Sequence, residues 1–356
     1  MKNKANTTAL LEAKELLVRG TNWIGDVVMS LPALDAVRKS VPDARITVLA
    51  KPWVADLYRM TPGVDEVKIY RSPGIHEGLA GKLQLARELQ SQNFDAALLF
   101  QNAFEAALLA ALARIPVRAG YRTDGRRLLL THPVKKRKGV EQLHQVHYYR
   151  ELVETLGFRA EPDELRLRPQ ETDLLRGDDI LEKEGVNPDD LLVGIAPGAA
   201  YGPAKMWFAD RFAAVADRLA ETHSARILLF GSGTDAERTG AVAGHADHSC
   251  IDLAGRTSLA EAAAIISRCN LFISNDSGLM HLAGGMGVPL IAVFGSTNPT
   301  ATSPLGSRSH VIFHKAQCSP CLKKTCPTDF RCMDAVTVDE VCQLGDRLLA
   351  RGGERL

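Results

Sequence analysis

Short apolar runs recur along this chain at intervals that suit one architecture. Residues 15–19, 45–49, 66–70 and 96–100 each read as a buried strand, and the intervening stretches 26–40, 75–92 and 103–113 carry helical period. A strand that is apolar at nearly every position has both faces covered, and one followed by a helix returns parallel to its predecessor. The expectation is therefore an α/β fold in which mostly parallel sheets carry helices on both faces. A second series of the same kind starts at 191–196 and continues through 226–230, 250–253, 271–274 and 290–294. Two such series in 356 residues imply two domains, each with its own core.

The helical pattern 144–156 ends at Gly157 and gives way to an acidic, proline-bearing stretch without apolar period, which is where a linker belongs. The domains expected are residues 1–165 and 166–336. The segment 337–356 opens on Thr337 as a helix cap and is free, by sequence, to pack back on the first domain. Lys plus Arg number 43 against 42 for Asp plus Glu, so no overall charge excess points to nucleic acid as a partner. The most apolar long stretch, 96–115, is interrupted by Gln101, Asn102, Glu105 and Arg114, and falls short of the roughly 20 residues a bilayer span needs. The first fourteen residues are polar and lack a secretory apolar region, which makes the cytoplasm the expected compartment.

Three Gly-bearing polar loops follow strands of the second series. At Asn275-Asp276-Ser277-Gly278 a strand gives way to a helix start, where unpaired backbone N–H groups and the helix dipole favour an anion, and Gly278 allows it to approach closely. Asp276 would repel phosphate, so it reads as a cap or as a partner for ribose or a cation. The loop 197–205 ends in Lys205, a cation able to meet phosphate oxygens or simply to face solvent. The loop 230–238 opens on Gly231 and Gly233 and carries Glu237, either a ribose partner or an exposed helix acid. His281 falls one turn after Ser277, facing the ligand or the core. In an open parallel sheet such loops share one crevice, and a nucleotide diphosphate suits what they offer.

In the first series, the loop 20–25 lacks both the dinucleotide fingerprint and the Lys-Ser/Thr ending of a P-loop. It leads instead to one carboxylate, Asp26, at the start of a helix. Such an acid can take a proton from an incoming hydroxyl, or merely complement the helix dipole. Residues 114–138 hold nine Lys or Arg against Asp124 alone. That segment, with Arg122 and Arg126 around a polar turn, suits an anionic acceptor or an anionic membrane surface, and equally a solvated loop. Four of the seven cysteines, Cys318, Cys321, Cys326 and Cys332, crowd into one loop. Zinc and free thiols are both compatible with it, although the spacing matches no common zinc ribbon or finger.

On these residues the chain resembles the ADP-heptose:lipopolysaccharide heptosyltransferases of glycosyltransferase family 9, and most of all their type II branch. The resemblance covers nearly the whole chain. It is carried by Gly25-Asp26 with Ser30-Leu31-Pro32-Ala33-Leu34, by Pro197-Gly198 with Lys205 and Trp207, and by Asn275-Asp276-Ser277-Gly278 with His281. It implies a GT-B fold of two facing Rossmann-like domains, the first binding acceptor, the second ADP-heptose, with catalysis in the cleft between them. Carried over, Asp26 matches the general base, Lys205 the lysine on the donor phosphates, Glu237 more loosely the acid near the nucleoside, Ser277-Gly278 the phosphate-binding helix start, and His281 the histidine one turn on. The implied reaction is inverting transfer from ADP-L-glycero-β-D-manno-heptose to the first heptose of heptosyl-Kdo-lipid A, with no metal or cofactor required. It would take place in the cytoplasm, with the basic segment suited to peripheral contact with the inner membrane. The apolar stretch 199–204 stands where the type I branch tends to carry hydroxyl residues, which favours type II, with type I or type III transfer as the alternatives. Two readings of other classes compete: a nucleotide-sugar epimerase, which would need a second carboxylate and a histidine at the sugar, and a binding protein that dispenses with Asp26. The acceptor hydroxyl, its phosphorylation and the oligomeric state are not legible in the sequence.

Overall fold

The computed structural model describes residues 8–159 and 167–351. The chain divides into two compact units, Met1–Arg168 and Pro169–Leu356. The expected boundary at 165/166 lies outside the described residues.

In the first unit the order is α1 (Thr8–Leu11), β1 (Glu15–Arg19), α2 (Ile24–Ser40), β2 (Arg45–Ala50), α3 (Ala55–Arg59), β3 (Glu66–Ile69) and α4 (Gly78–Gln90). Then come β4 (Ala96–Leu99), α5 (Phe104–Leu112), β5 (Val117–Tyr121), β6 (His132–Val134) and α6 (Gln145–Thr155). The six strands form one sheet, ordered β3-β2-β1-β4-β5-β6, and every pairing in it is parallel. Leu17, Leu49, Tyr70, Leu85, Leu89, Phe94 and Leu99 belong to its core.

The second unit runs α7 (Glu171–Lys183), β7 (Leu192–Ala196), α8 (Ala209–His223), β8 (Arg226–Leu229), α9 (Ala236–His245), β9 (Cys250–Asp252) and α10 (Leu259–Arg268). It continues with β10 (Leu271–Asn275), α11 (Gly278–Gly285), β11 (Leu290–Phe294), α12 (Pro299–Thr302), β12 (Ser309–Phe313), α13 (Arg331–Asp334) and α14 (Val338–Arg351). Its sheet is again six-stranded and parallel, ordered β12-β11-β10-β7-β8-β9. Trp207, Phe212, Leu219, Ile273, Val293 and Met333 anchor its core.

Nine of the twelve strands among the described residues are read from sequence, and four of them, β4, β7, β10 and β11, are buried at every position. Three others, β5, β6 and β12, escaped because their composition is mixed. Strand β6 even contains Pro133, which is tolerated because the strand lies at the sheet edge and needs no donor on its outer side.

The last helix, α14, contributes Val341, Cys342 and Leu348 to the core of the second unit. An ion pair of Asp339 with Arg218 (2.5 Å) and a hydrogen bond between His223 Nε2 and Asp346 Oδ1 (2.8 Å) hold it along α8. Among the described residues, no helix is long and apolar enough to cross a membrane.

Candidate active site

Both sheets are doubly wound, with three strands laid down one way from β1 or β7 and three the other way from β4 or β10. At that reversal the loops leaving neighbouring strands diverge, and a crevice opens at their carboxyl ends. Several of the residues singled out in the sequence fall at these two points, while Glu237 follows β8 and Arg122 and Arg126 follow β5. Asp26 follows β1, whereas loop 197–205 follows β7 and segment 275–278 ends β10.

In the second unit, Asn275 ties two of the loops together. Its buried amide accepts from the Trp207 backbone N–H (2.9 Å) and donates to the Pro197 carbonyl (2.7 Å). The Lys205 ammonium lies 2.7 Å from Oδ2 of Asp276, which also accepts the Thr297 hydroxyl at 2.6 Å. Asp276 is thus not the helix cap but the partner of a cation. Ser277 is the cap, its Oγ accepting from the Met280 N–H at 3.3 Å. The amides of Gly278 and Leu279 stand at the first positions of α11, before the helical ladder has acceptors for them. One N–H of Lys205 is directed to Asp276, and an ammonium has two more to offer an anion. The Tyr201 ring, 5.1 Å from the ammonium, adds to the negative field around it.

Glu237 is exposed in the first turn of α9. The loop before it is held by a capping box in which the Ser232 N–H donates to Asp235 Oδ2 at 2.8 Å. His281 is buried, one turn into α11. Asn275 was read in the sequence only as the start of the anion-binding segment, without its role of tying two loops. Thr297 was missed, because it comes from a loop after β11 that carried no motif.

In the first unit, Asp26 occupies the first turn of α2. Burial holds its carboxyl above the usual aspartate range. The neighbouring Tyr149 phenol, itself raised well above its ordinary value by burial, is raised further by the charge on Asp26. The loop before α2 is fixed by Tyr58, whose hydroxyl accepts from the Thr21 N–H at 2.9 Å. Gly20 makes this approach feasible, because a Cβ there would lie 2.5 Å from the Tyr58 hydroxyl. At the same sheet edge stands a network that sequence reading did not isolate. Tyr70 donates to Glu105 Oε1 (2.6 Å), Lys82 pairs with Glu105 Oε2 (2.6 Å), and the Lys51 ammonium sits 3.7 Å over the Tyr70 ring. Its members come from four separate elements and loops, so no local motif announces it.

The two arginines expected to contact an acceptor differ. Arg122 is exposed. Arg126 is fully buried, and its guanidinium donates to the carbonyls of Tyr121 and Gln101 and to Asn102 Oδ1. Burial pushes its pKa down to about 10. It is a brace between the loops after β4 and β5, and this corrects the expectation of an open acceptor contact.

The four clustered thiols line one small cavity together with Ser296 and Ser319. Among the described residues, no three Cys, His, Asp or Glu side chains are grouped as a metal ion requires.

The family model for glycosyltransferase family 9 (heptosyltransferase) matches residues 82–330. The chain belongs to that family. It is a glycosyltransferase, and the α/β architecture of GT-B type expected for it is the one observed. The chain is 30% identical to lipopolysaccharide heptosyltransferase 2 of Salmonella typhimurium over 85% of its own length and 90% of the relative's. It is 25% identical to lipopolysaccharide heptosyltransferase 1 of Pseudomonas aeruginosa, over 87% and 86%. Among solved structures, that of E. coli ADP-heptose lps heptosyltransferase II superposes with a TM-score of 0.82 at 27% identity, covering 95% of this chain and 99% of that one. For a family 9 transferase, the paired Lys205 and Asp276 at the carboxyl ends of β7 and β10 are the natural candidates for the donor end of the reaction.

Proposed function

We propose that this glycosyltransferase moves L-glycero-D-manno-heptose from ADP-heptose to the first heptose of the lipopolysaccharide inner core, as a type II heptosyltransferase. The observation that carries the donor half is the meeting of Lys205, Asp276 and the start of α11 at the winding reversal of the second sheet. An ammonium and two outward amides there suit a diphosphate. Glu237, in the first turn of α9, is the candidate for ribose, and His281, buried one turn into α11, is a further candidate at the donor end.

Asp26 supplies the base. A carboxylate whose pKa is raised by burial has more proton affinity than an ordinary aspartate. It takes the proton of the acceptor hydroxyl as that oxygen bonds to C1 of the heptose. The C1–O bond to the diphosphate breaks on the opposite face, its electron pair leaving on the phosphate oxygen, so configuration inverts. Lys205 and the α11 amides stabilise that charge as it develops. Arg122 is the remaining candidate for contact with an anionic acceptor.

Type II is favoured by the 30% relative over the type I relative at 25%. The deciding measurement offers ADP-heptose with Kdo-lipid A carrying no, one or two heptoses. Transfer to the one-heptose acceptor is expected. Turnover of the heptose-free acceptor alone would reassign the chain to type I, and exclusive use of the two-heptose acceptor would contradict both.

A further inference from the structure

The loop that carries the four clustered cysteines is built into the donor end of the second unit. On one side its Ser319 hydroxyl donates to the Gly295 carbonyl, and its Leu322 N–H donates at 2.8 Å to the carbonyl of Ser296, the residue before Thr297. On the other side the Leu322 carbonyl accepts the Tyr201 hydroxyl (2.7 Å), and the Lys324 carbonyl accepts the N–H of Ala204 (3.0 Å), the residue before Lys205. The loop therefore bridges the two segments that bring Lys205 and Thr297 to Asp276. Gly202 permits the approach. Its φ of +148° is one that side chains rarely adopt, and a Cβ there would lie 2.5 Å from the Lys324 carbonyl oxygen.

These bonds fix the backbone of Lys324 while its side chain stays exposed. Its ammonium lies 5.9 Å from the centroid of the Tyr201 ring, the same ring that stands 5.1 Å from the Lys205 ammonium. Among the described residues no carboxylate pairs with Lys324, whereas Lys205 is matched by Asp276 at 2.7 Å. The balance of charge makes this difference matter. The diphosphate of a nucleotide sugar carries two negative charges, and a third develops on the departing nucleotide. The Lys205–Asp276 pair has no net charge, so it offers directed N–H groups without a surplus to meet that load. Two ammonium groups gathered about one ring also repel each other, and an anion beside the ring relieves the repulsion.

We propose that Lys324 is the second cation of the donor site, contacting the diphosphate alongside Lys205 and stabilising the charge that collects on the leaving nucleotide. A compact charge on a flexible stem suits that task, because the negative charge grows on the phosphate oxygen as the C1–O bond breaks. The cysteine-bearing loop is then the arm that presents Lys324 to the donor. The inference deepens the reading of this crevice as the donor site and rests on it.

Lys324→Gln, Lys324→Arg and Lys323→Gln are compared with the parent chain in thermal melting, in calorimetric titration with ADP and in turnover of ADP-heptose. Lys323 serves as the control because it is adjacent and also exposed, and lines the thiol cavity instead. All three variants are expected to melt like the parent, since the backbone carbonyl that ties Lys324 to Ala204 survives each substitution. Lys324→Gln is expected to bind ADP about tenfold more weakly, the loss of one charge-assisted hydrogen bond, and to lose still more in kcat/KM. Lys324→Arg should recover most of both, and Lys323→Gln should match the parent. Parent-like ADP affinity in Lys324→Gln, an equal loss in Lys323→Gln, or no recovery in Lys324→Arg would each overturn the assignment while leaving the donor site where it is. A parent chain that binds no ADP would instead overturn the donor reading, and the assignment with it.

Discussion

At Asp26 stability and reactivity pull in opposite directions. Burial disfavours its charged form, so the folded chain binds this proton more tightly than the unfolded chain does. Between the unfolded and folded pKa values the native state therefore holds more protons, and stability contributed by this site falls as pH rises through that window. Activity runs the other way, because only the ionised carboxylate accepts a proton. Rates under substrate-limited conditions should climb through a pKa above the ordinary aspartate value. Asp26→Asn should lose about 100-fold or more in turnover, bind ADP-heptose as before, and melt no lower than the parent at neutral pH. Wild-type turnover by that variant would remove Asp26 as the base. At Lys205 the arrangement differs, since the buried Asp276 is matched by a cation at 2.7 Å and by the Thr297 hydroxyl.

The element that most directly serves the donor end is α11, a short helix whose start must stay where it is. It is wedged against the turn before β12. A Cβ at Gly284 would lie 2.5 Å from the Leu305 carbonyl oxygen and 3.3 Å from Pro304. A backbone carbonyl cannot swing aside as a side-chain tip can, so Gly284→Ala must move the helix. The expected cost is about 1–3 kcal/mol of stability, with a raised KM for ADP-heptose as the Gly278 end shifts. The control lies in α9, where a Cβ at Gly240 meets nothing within 4 Å. Gly240→Ala should stabilise by about 0.5–1 kcal/mol. Thermal melting of the two variants decides: equal shifts would show that α11 is not wedged.

Across the whole molecule, each unit closes its own sheet and fills its own core, the second with Trp207, Phe212 and the apolar face of α14. A chain limited to residues 169–356 should therefore fold cooperatively and bind ADP-heptose while transferring nothing, because Asp26 is absent. Calorimetric unfolding and titration with the nucleotide sugar test this. A fragment without a cooperative transition would mean that the second core depends on the first.

The sequence by itself determined the repeating units and their chemistry. Central strands such as β7, β10 and β11 are covered on both faces, so every position must be apolar and the pattern is visible in one dimension. Helix starts after those strands likewise announce themselves through Asp26 and Ser277-Gly278, because capping and phosphate contact need particular residue types locally. Edge strands β6 and β12 stayed hidden, since a strand with one free side tolerates polar residues and proline. Only the tertiary structure decided which distant residues meet. Lys205 and Asp276 are 71 residues apart, and their pairing follows from β7 lying beside β10. The same is true of Arg126, which looked like a surface cation and became a buried brace once β4 and β5 were neighbours. A charged side chain's partner is set by strand order, and strand order is a property of the packed sheet rather than of any local run of residues.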